Sequence, residues 1–144
     1  ELDDAGLLAS VPTVVAAQPA GCAPVVTAWE AGAETTEPWD GPDTIVGELE
    51  IPDPAGGDLA LAALSDLSGT AVAVSDDDAL ESAVTAAQTT ALEVGGAGGV
   101  ALAAVWELAD RGDLSDDDDV VVVNPDAGVK TPDVLRSHLM GKGI

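Results

Sequence analysis

Three short runs of uninterrupted apolar residues do most to limit what this chain can become: Thr13 to Ala17 (TVVAA), Thr70 to Val74 (TAVAV) and Val120 to Val123. A strand with one face in water alternates apolar with polar side chains, whereas a strand covered on both faces is apolar throughout. Between the runs lie stretches of about three helical turns, so the pattern reads β-α-β and implies a parallel sheet in an α/β fold. Three strands make a thin sheet with open edges, a form that further strands normally extend. The chain is therefore expected to be part of a longer polypeptide, an expectation strengthened by its start at Glu1 rather than Met.

The helical stretches carry their own punctuation. Leu2, Gly6, Leu7 and Leu8 resemble the end of a helix turning at Val11 and Pro12. Cys22 to Ala31 reads as a helix with Val25, Val26 and Trp29 inward. Asp53-Pro54 opens another, with Leu59, Leu61, Leu64 and Leu67 apolar and Gly69 as its stop. Ser75-Asp76-Asp77-Asp78 caps a helix from Ala79 to Thr90, its acids suiting the positive end of the helix dipole. Val100 to Ala109 follows a glycine run and closes at Arg111-Gly112, and Pro132 to Met140 forms a last helix with Val134, Leu135 and Leu139 on one side. Thr44 to Ile51 fits neither period.

Charge bounds the partners. Twenty-seven acidic residues face four basic ones (Arg111, Lys130, Arg136, Lys142), a net charge of -23 on 144 residues. Nucleic acid and anionic membrane surfaces both require basic patches, so neither is an expected partner. The acids are spread over loops and helix starts rather than gathered in a tail, the pattern of a halophilic protein. Salt at about 1 M shortens the Debye length to roughly 3 Å and relieves the self-repulsion. Cys22 is the single cysteine, so no intramolecular disulfide can form, which suits a reducing, cytoplasmic setting. No apolar run approaches the roughly 20 residues of a membrane span.

Ligands of α/β proteins sit at the ends of parallel strands, which directs attention to Gln18 to Cys22, Ser75 to Asp77 and Asn124 to Lys130. The Asp cluster at 76 and 77 offers cation ligands or simply a charged helix start, and the second fits a halophilic surface better. The run Asp116 to Asp119 precedes a strand and reads as a solvated loop. Cys22 at a helix start has the setting of a thiolate nucleophile, but with no His nearby a buried structural thiol is the better reading. His138, on the last helix, reads as exposed. Gly95-Gly96-Ala97-Gly98-Gly99 leads into a helix, so its amides suit either an anion or close packing of backbone. Glu93 just ahead of that run is a carboxylate placed to enter a pocket. Lys130 reads as an exposed lysine.

Taken in order, residues 47 to 83 (GELEIPDPAGGDLALAALSDLSGTAVAVSDDDALESA) and 92 to 130 (LEVGGAGGVALAAVWELADRGDLSDDDDVVVVNPDAGVK) resemble the carboxy-terminal half of the threonine synthase family. Residues 18 to 24, QPAGCAP, match the family's Gln-x-x-Gly-Cys-x-Pro stretch, so the resemblance covers essentially the whole chain. It implies a three-layer αβα fold with a parallel sheet, part of a fold-type II (tryptophan synthase β-like) enzyme. It also implies pyridoxal 5'-phosphate as cofactor, an amino-acid substrate, and conversion of O-phosphohomoserine to threonine and phosphate. A homo-oligomer and the upstream half of the same protein are the partners it brings in. The family's Schiff-base lysine and its phosphate-cradling loop belong to that upstream half, so residues 1 to 144 are expected to be a carboxy-terminal portion, inactive alone and without a catalytic residue of its own.

Two family positions carry over. Glu93 matches the Glu of a Glu-Pro-x-x-Ala segment near the cofactor, with Val94 in place of the Pro. Pro125 matches the Ser or Thr that bonds the pyridine nitrogen within Thr-Gly-x-Gly-x-Lys, and here the segment reads Pro125-Asp126-Ala127-Gly128-Val129-Lys130. Proline has no side-chain donor or acceptor, so Asp126 or Asn124 is left as the substitute. Lys130 occupies a family position other than that of the Schiff-base lysine. The same departure motivates a second reading, a non-catalytic relative that keeps the fold for binding. A receiver-like module with a cation at Asp76 or Asp77 is a third.

Overall fold

The computed structural model describes residue 3, residues 5 to 130 and residues 132 to 141. Two of the apolar runs become strands, β1 (Val15–Pro19) and β2 (Thr70–Val74), paired in parallel with Val15 opposite Thr70 and Pro19 opposite Val74. Thr70 N donates to Val14 O (3.1 Å) and Ala20 N to Val74 O (2.7 Å), extending the ladder beyond both ends. β1 lies two residues later than the run Thr13 to Ala17 suggests.

Side chains of a strand alternate between its faces, and β2 finds a cover on each. Val72 and Val74 point to a cluster with Val46, Ala79, Val100, Ala104 and Leu108. Ala71 points the other way, to Val25, Val26, Leu61 and Leu64. The first cluster is closed by α3 (Asp76–Thr90) and α4 (Gly96–Arg111), the second by α1 (Pro24–Glu30) and α2 (Gly57–Asp66). The result is the expected α/β fold with helices on both sides of a parallel sheet. α5 (Pro132–Gly141) rests on α3.

The helix boundaries follow local chemistry. The Ser75 hydroxyl accepts from Asp78 N at 3.1 Å and starts α3, as its sequence foretells. Gln18 Oε1 accepts from Val25 N (2.9 Å) and Val26 N (3.1 Å), so a side chain from β1 takes the free amides of α1, with Pro24 at its first position. α4 begins at Gly96, four residues before the expected Val100, and its glycine run forms the first turn.

Two expectations are corrected. Val120 to Val123 forms no strand: Val121 and Val123 are 89% and 73% exposed. A strand exists only as part of a ladder, and among the described residues the ladder has two members. Leu59 is 76% exposed, because α2 turns Leu61 and Leu64 to the core instead. The leading helix around Leu2 falls partly on residues outside those described; Gly6 N closes a turn on Asp3 O at 2.8 Å, and Leu7 is exposed.

Candidate functional site

The loop from 44 to 49 is tied down by a residue far along the chain. The Thr44 hydroxyl donates to Asp76 Oδ1 (2.6 Å) and Ile45 N to Asp76 Oδ2 (2.8 Å). Val46, 2% exposed, is thereby driven into the core against the first turn of α4. A 3-10 turn over Gly47–Leu49 follows, and it delivers Glu48 to the start of α4.

Asp126 reaches the same place from the other side. Its Oδ1 accepts from Gly98 N at 3.2 Å, and its carboxyl lies directly over Gly95. Asn124 Nδ2 donates to Glu93 O at 3.3 Å, while its Oδ1 packs so close to Gly98 that a Cβ there would overlap it. Gly128 approaches the Val94 carbonyl and the Glu93 side chain. The segment 93 to 98, which leads into the first turn of α4, and the loop 124 to 128 are thus laid against each other.

The first-turn amides of a helix lack partners within it and favour negative charge. Here the chain's own carboxyls fill that role. Glu48 and Asp126 share a hydrogen bond, which can form only with a proton between them, and this bond pushes the Glu48 carboxyl above the usual glutamate value. Burial and the Asp126 charge add to the rise, while the amides of Glu48 and Ala97 oppose it. Glu48 and Asp126 therefore meet at a helix start, with Asp126 half-buried and Glu48 exposed.

Of the four residues expected at a cofactor, Glu93, Asn124 and Asp126 are brought together, and Pro125 stands exposed beside them. Glu93 is also exposed at its side chain, with its carbonyl engaged by Asn124. Glu48 is the member that sequence reasoning passes over. The other candidates go elsewhere. Gln18 caps α1, and Cys22 is fully buried, which pushes its thiol up and leaves it protonated against the weaker pull of the Ile51 amide. Asp76 is spent on Thr44 and Ile45. Lys130 is exposed, as read. His138 is not: its side chain is 6% exposed and its Nε2 lies 3.3 Å from Glu81 Oε2, because α5 folds back onto α3.

A parallel two-strand layer and a glycine-rich helix start capped by carboxyls define the class of fold to which comparison can be made. The family model for "Pyridoxal-phosphate dependent enzyme" matches residues 4–126. The chain belongs to that family, whose cofactor is pyridoxal phosphate. It is 28% identical over 130 residues to a threonine synthase of Methanosarcina acetivorans, covering 90% of this chain and 32% of that protein. It is 27% identical over 133 residues to a threonine synthase of Methanocaldococcus jannaschii, covering 92% of this chain and 33% of that protein. The chain therefore spans about a third of the length of these relatives. The fold matches a structure of maize serine racemase with a TM-score of 0.57 at 22% identity, over 87% of this chain and 40% of that one. No helix among the described residues is long and apolar enough to cross a membrane.

Proposed function

We propose that this chain is the carboxy-terminal portion of a pyridoxal-phosphate-dependent lyase of the threonine synthase type, and that it supplies the ring-nitrogen side of the cofactor pocket. The observation that carries the reading is the convergence of Asp126, Asn124 and Glu93 on the first turn of α4. The residues present fit that end of the cofactor. Asp126 offers a half-buried carboxyl already held by the Gly98 amide, where Pro125 offers no polar side-chain atom. When bound, pyridoxal phosphate serves as an electron sink for substrate carbanions.

The work of this chain is to position and to hold charge. Asp126 would accept a hydrogen bond from the protonated ring nitrogen, and the Gly98 amide and the Glu48 side chain beside it would keep Asp126 oriented. Asn124 fixes the 93 to 98 loop through the Glu93 carbonyl, so the pocket wall cannot drift. The cofactor-bearing lysine and the phosphate loop would come from the upstream part of the same cytoplasmic protein, which converts O-phosphohomoserine to threonine and phosphate.

In the enzyme that carries this chain, Asp126→Ala is expected to change the cofactor absorbance and to lower threonine formation by on the order of 10²-fold, while Asp126→Asn keeps binding but not rate. An unchanged spectrum and turnover in Asp126→Ala would remove the assignment. Pro125 favours a second reading, a non-catalytic relative that keeps the fold for binding. Phosphate release from O-phosphohomoserine by the wild-type enzyme separates the two.

A further inference from the structure

We propose that the groove between α3 and the C-terminal half of α4 binds a small organic cation bearing ammonium or guanidinium groups. Both helices turn a one-sided set of residues into it, at i, i+3, i+4 and i+7 spacing, the arrangement that normally interdigitates apolar side chains. Here the floor is made of small residues, Ala73 of β2, Ser82 of α3 and Ala103 of α4, so the helices leave a cavity of about 350 Å³ between them. That is the size of a small-molecule site.

Ser82 is the observation that turns a gap into a site. The residue is 6% exposed, and its hydroxyl makes no hydrogen bond among the described residues. Yet no fully buried side-chain oxygen or nitrogen there lacks a partner. The Ser82 hydroxyl therefore keeps its access through the groove that it lines, with donor and acceptor both unspent. A buried polar group in this condition calls for a ligand or water.

The chemistry of the rim selects the ligand. Asp78 and Glu81 come from α3, Glu107 and Asp110 from α4. Asp78 accepts from the Ser75 hydroxyl, Glu107 pairs with Arg111 at 2.9 Å, and Glu81 meets His138. The Asp110 carboxylate makes no hydrogen bond or ion pair among the described residues. The negative end of the α4 dipole lies beside it and adds to the attraction for a cation. Trp106, 56% exposed, lines the same groove and offers an aromatic face to a cationic nitrogen. Among the described residues no three carboxylates, histidines or cysteines approach closely enough to hold a metal ion. Charges spread along two helices, with a hydroxyl beneath and an indole beside them, suit a polyatomic cation rather than a point charge.

The test uses the full 144-residue chain and 1,4-diaminobutane as probe, by calorimetry and by the Trp106 indole resonance. At about 1 M KCl diffuse attraction reaches only roughly 3 Å, so a saturable signal reports the groove. A single saturable site that shifts the Trp106 resonance is expected. Asp110→Asn and Ser82→Ala should each weaken it by about tenfold, the loss of one hydrogen bond to a charged group. Asp117→Asn, on the acidic loop outside the groove, should leave it unchanged. Uptake without saturation, equal affinity in Asp110→Asn, or displacement by an equal concentration of Mg²⁺ would each overturn the proposal. Asp110 is exposed, so that variant stays informative even where Ser82→Ala fails to fold.

Discussion

Glu48 and Asp126 make folding of the α4 start depend on pH in an unusual direction. A carboxyl whose folded-state pKa lies above its unfolded value binds its proton more tightly in the folded chain. Its contribution is complete below the unfolded value and is lost as pH rises through the folded one. Glu48 is such a group, raised by its bond to Asp126. Wild type should therefore lose stability, relative to Glu48→Gln, as pH climbs from the ordinary glutamate range toward neutrality. The amide of Gln keeps a donor for Asp126 at every pH, so the urea midpoint of the variant should vary less in that window. Parallel curves would show that the pair shares no proton. Asp126, Asn124 and Glu93 were singled out by the resemblance to the threonine synthase family, and the fold lays their two segments side by side. Glu48 was not, because its place depends on the bonds that Thr44 and Ile45 make to Asp76, and no local pattern announces contacts of that span. Gln18 drew attention for being at a strand end, yet its oxygen is consumed by the α1 amides.

At the scale of elements, packing overrides propensity where α3 meets α4. Glycine inside a helix costs about 1 kcal/mol relative to alanine, and α4 nevertheless begins with several. Gly99 shows the reason: a Cβ there would run into the Ala79 carbonyl of α3. Gly99→Ala should thus destabilise by about 1–3 kcal/mol, the cost of overpacking, instead of giving the usual gain. Ala91 is the converse. It ends α3 with φ 60, a left-handed position that alanine tolerates poorly, and Ala91→Gly should stabilise by about 0.5–1 kcal/mol. Thermal unfolding of the two variants checks both signs. β2 and α3 were readable because their determinants are contiguous: a threonine and four apolar residues, then Ser75 with Asp78. The valine run 120 to 123 carries equally strong β propensity, but pairing is a property of two segments, and propensity in one cannot supply the other.

For the whole molecule, the two core clusters flank a sheet that has two strands among the described residues, while a net charge of -23 pushes the surface apart. Raising KCl from about 0.1 M to about 1 M shrinks the Debye length from roughly 10 Å to roughly 3 Å. The urea midpoint should rise steadily across that range, and a flat response would remove the halophilic reading. Asp118 shows how the acids serve local structure as well: the Ser115 amide (2.7 Å) and hydroxyl (2.9 Å) donate to it, and they hold its carboxyl below the usual range.

The exposed valines at 121 and 123 give the neighbouring aspartates a further duty. A bare β-prone segment invites stacking with its like in another molecule, and flanking charges act as gatekeepers against it. Asp116 to Asp119 stand immediately before that segment. Their repulsion acts between molecules through solvent, so the ions expected to steady the fold should also dull the guard. Light scattering should therefore increase with salt in the range where the folded state gains most, and Val121→Lys should suppress it. If both responses hold, the salt best suited to folding and the salt best suited to staying dispersed are set by opposite needs of adjacent residues.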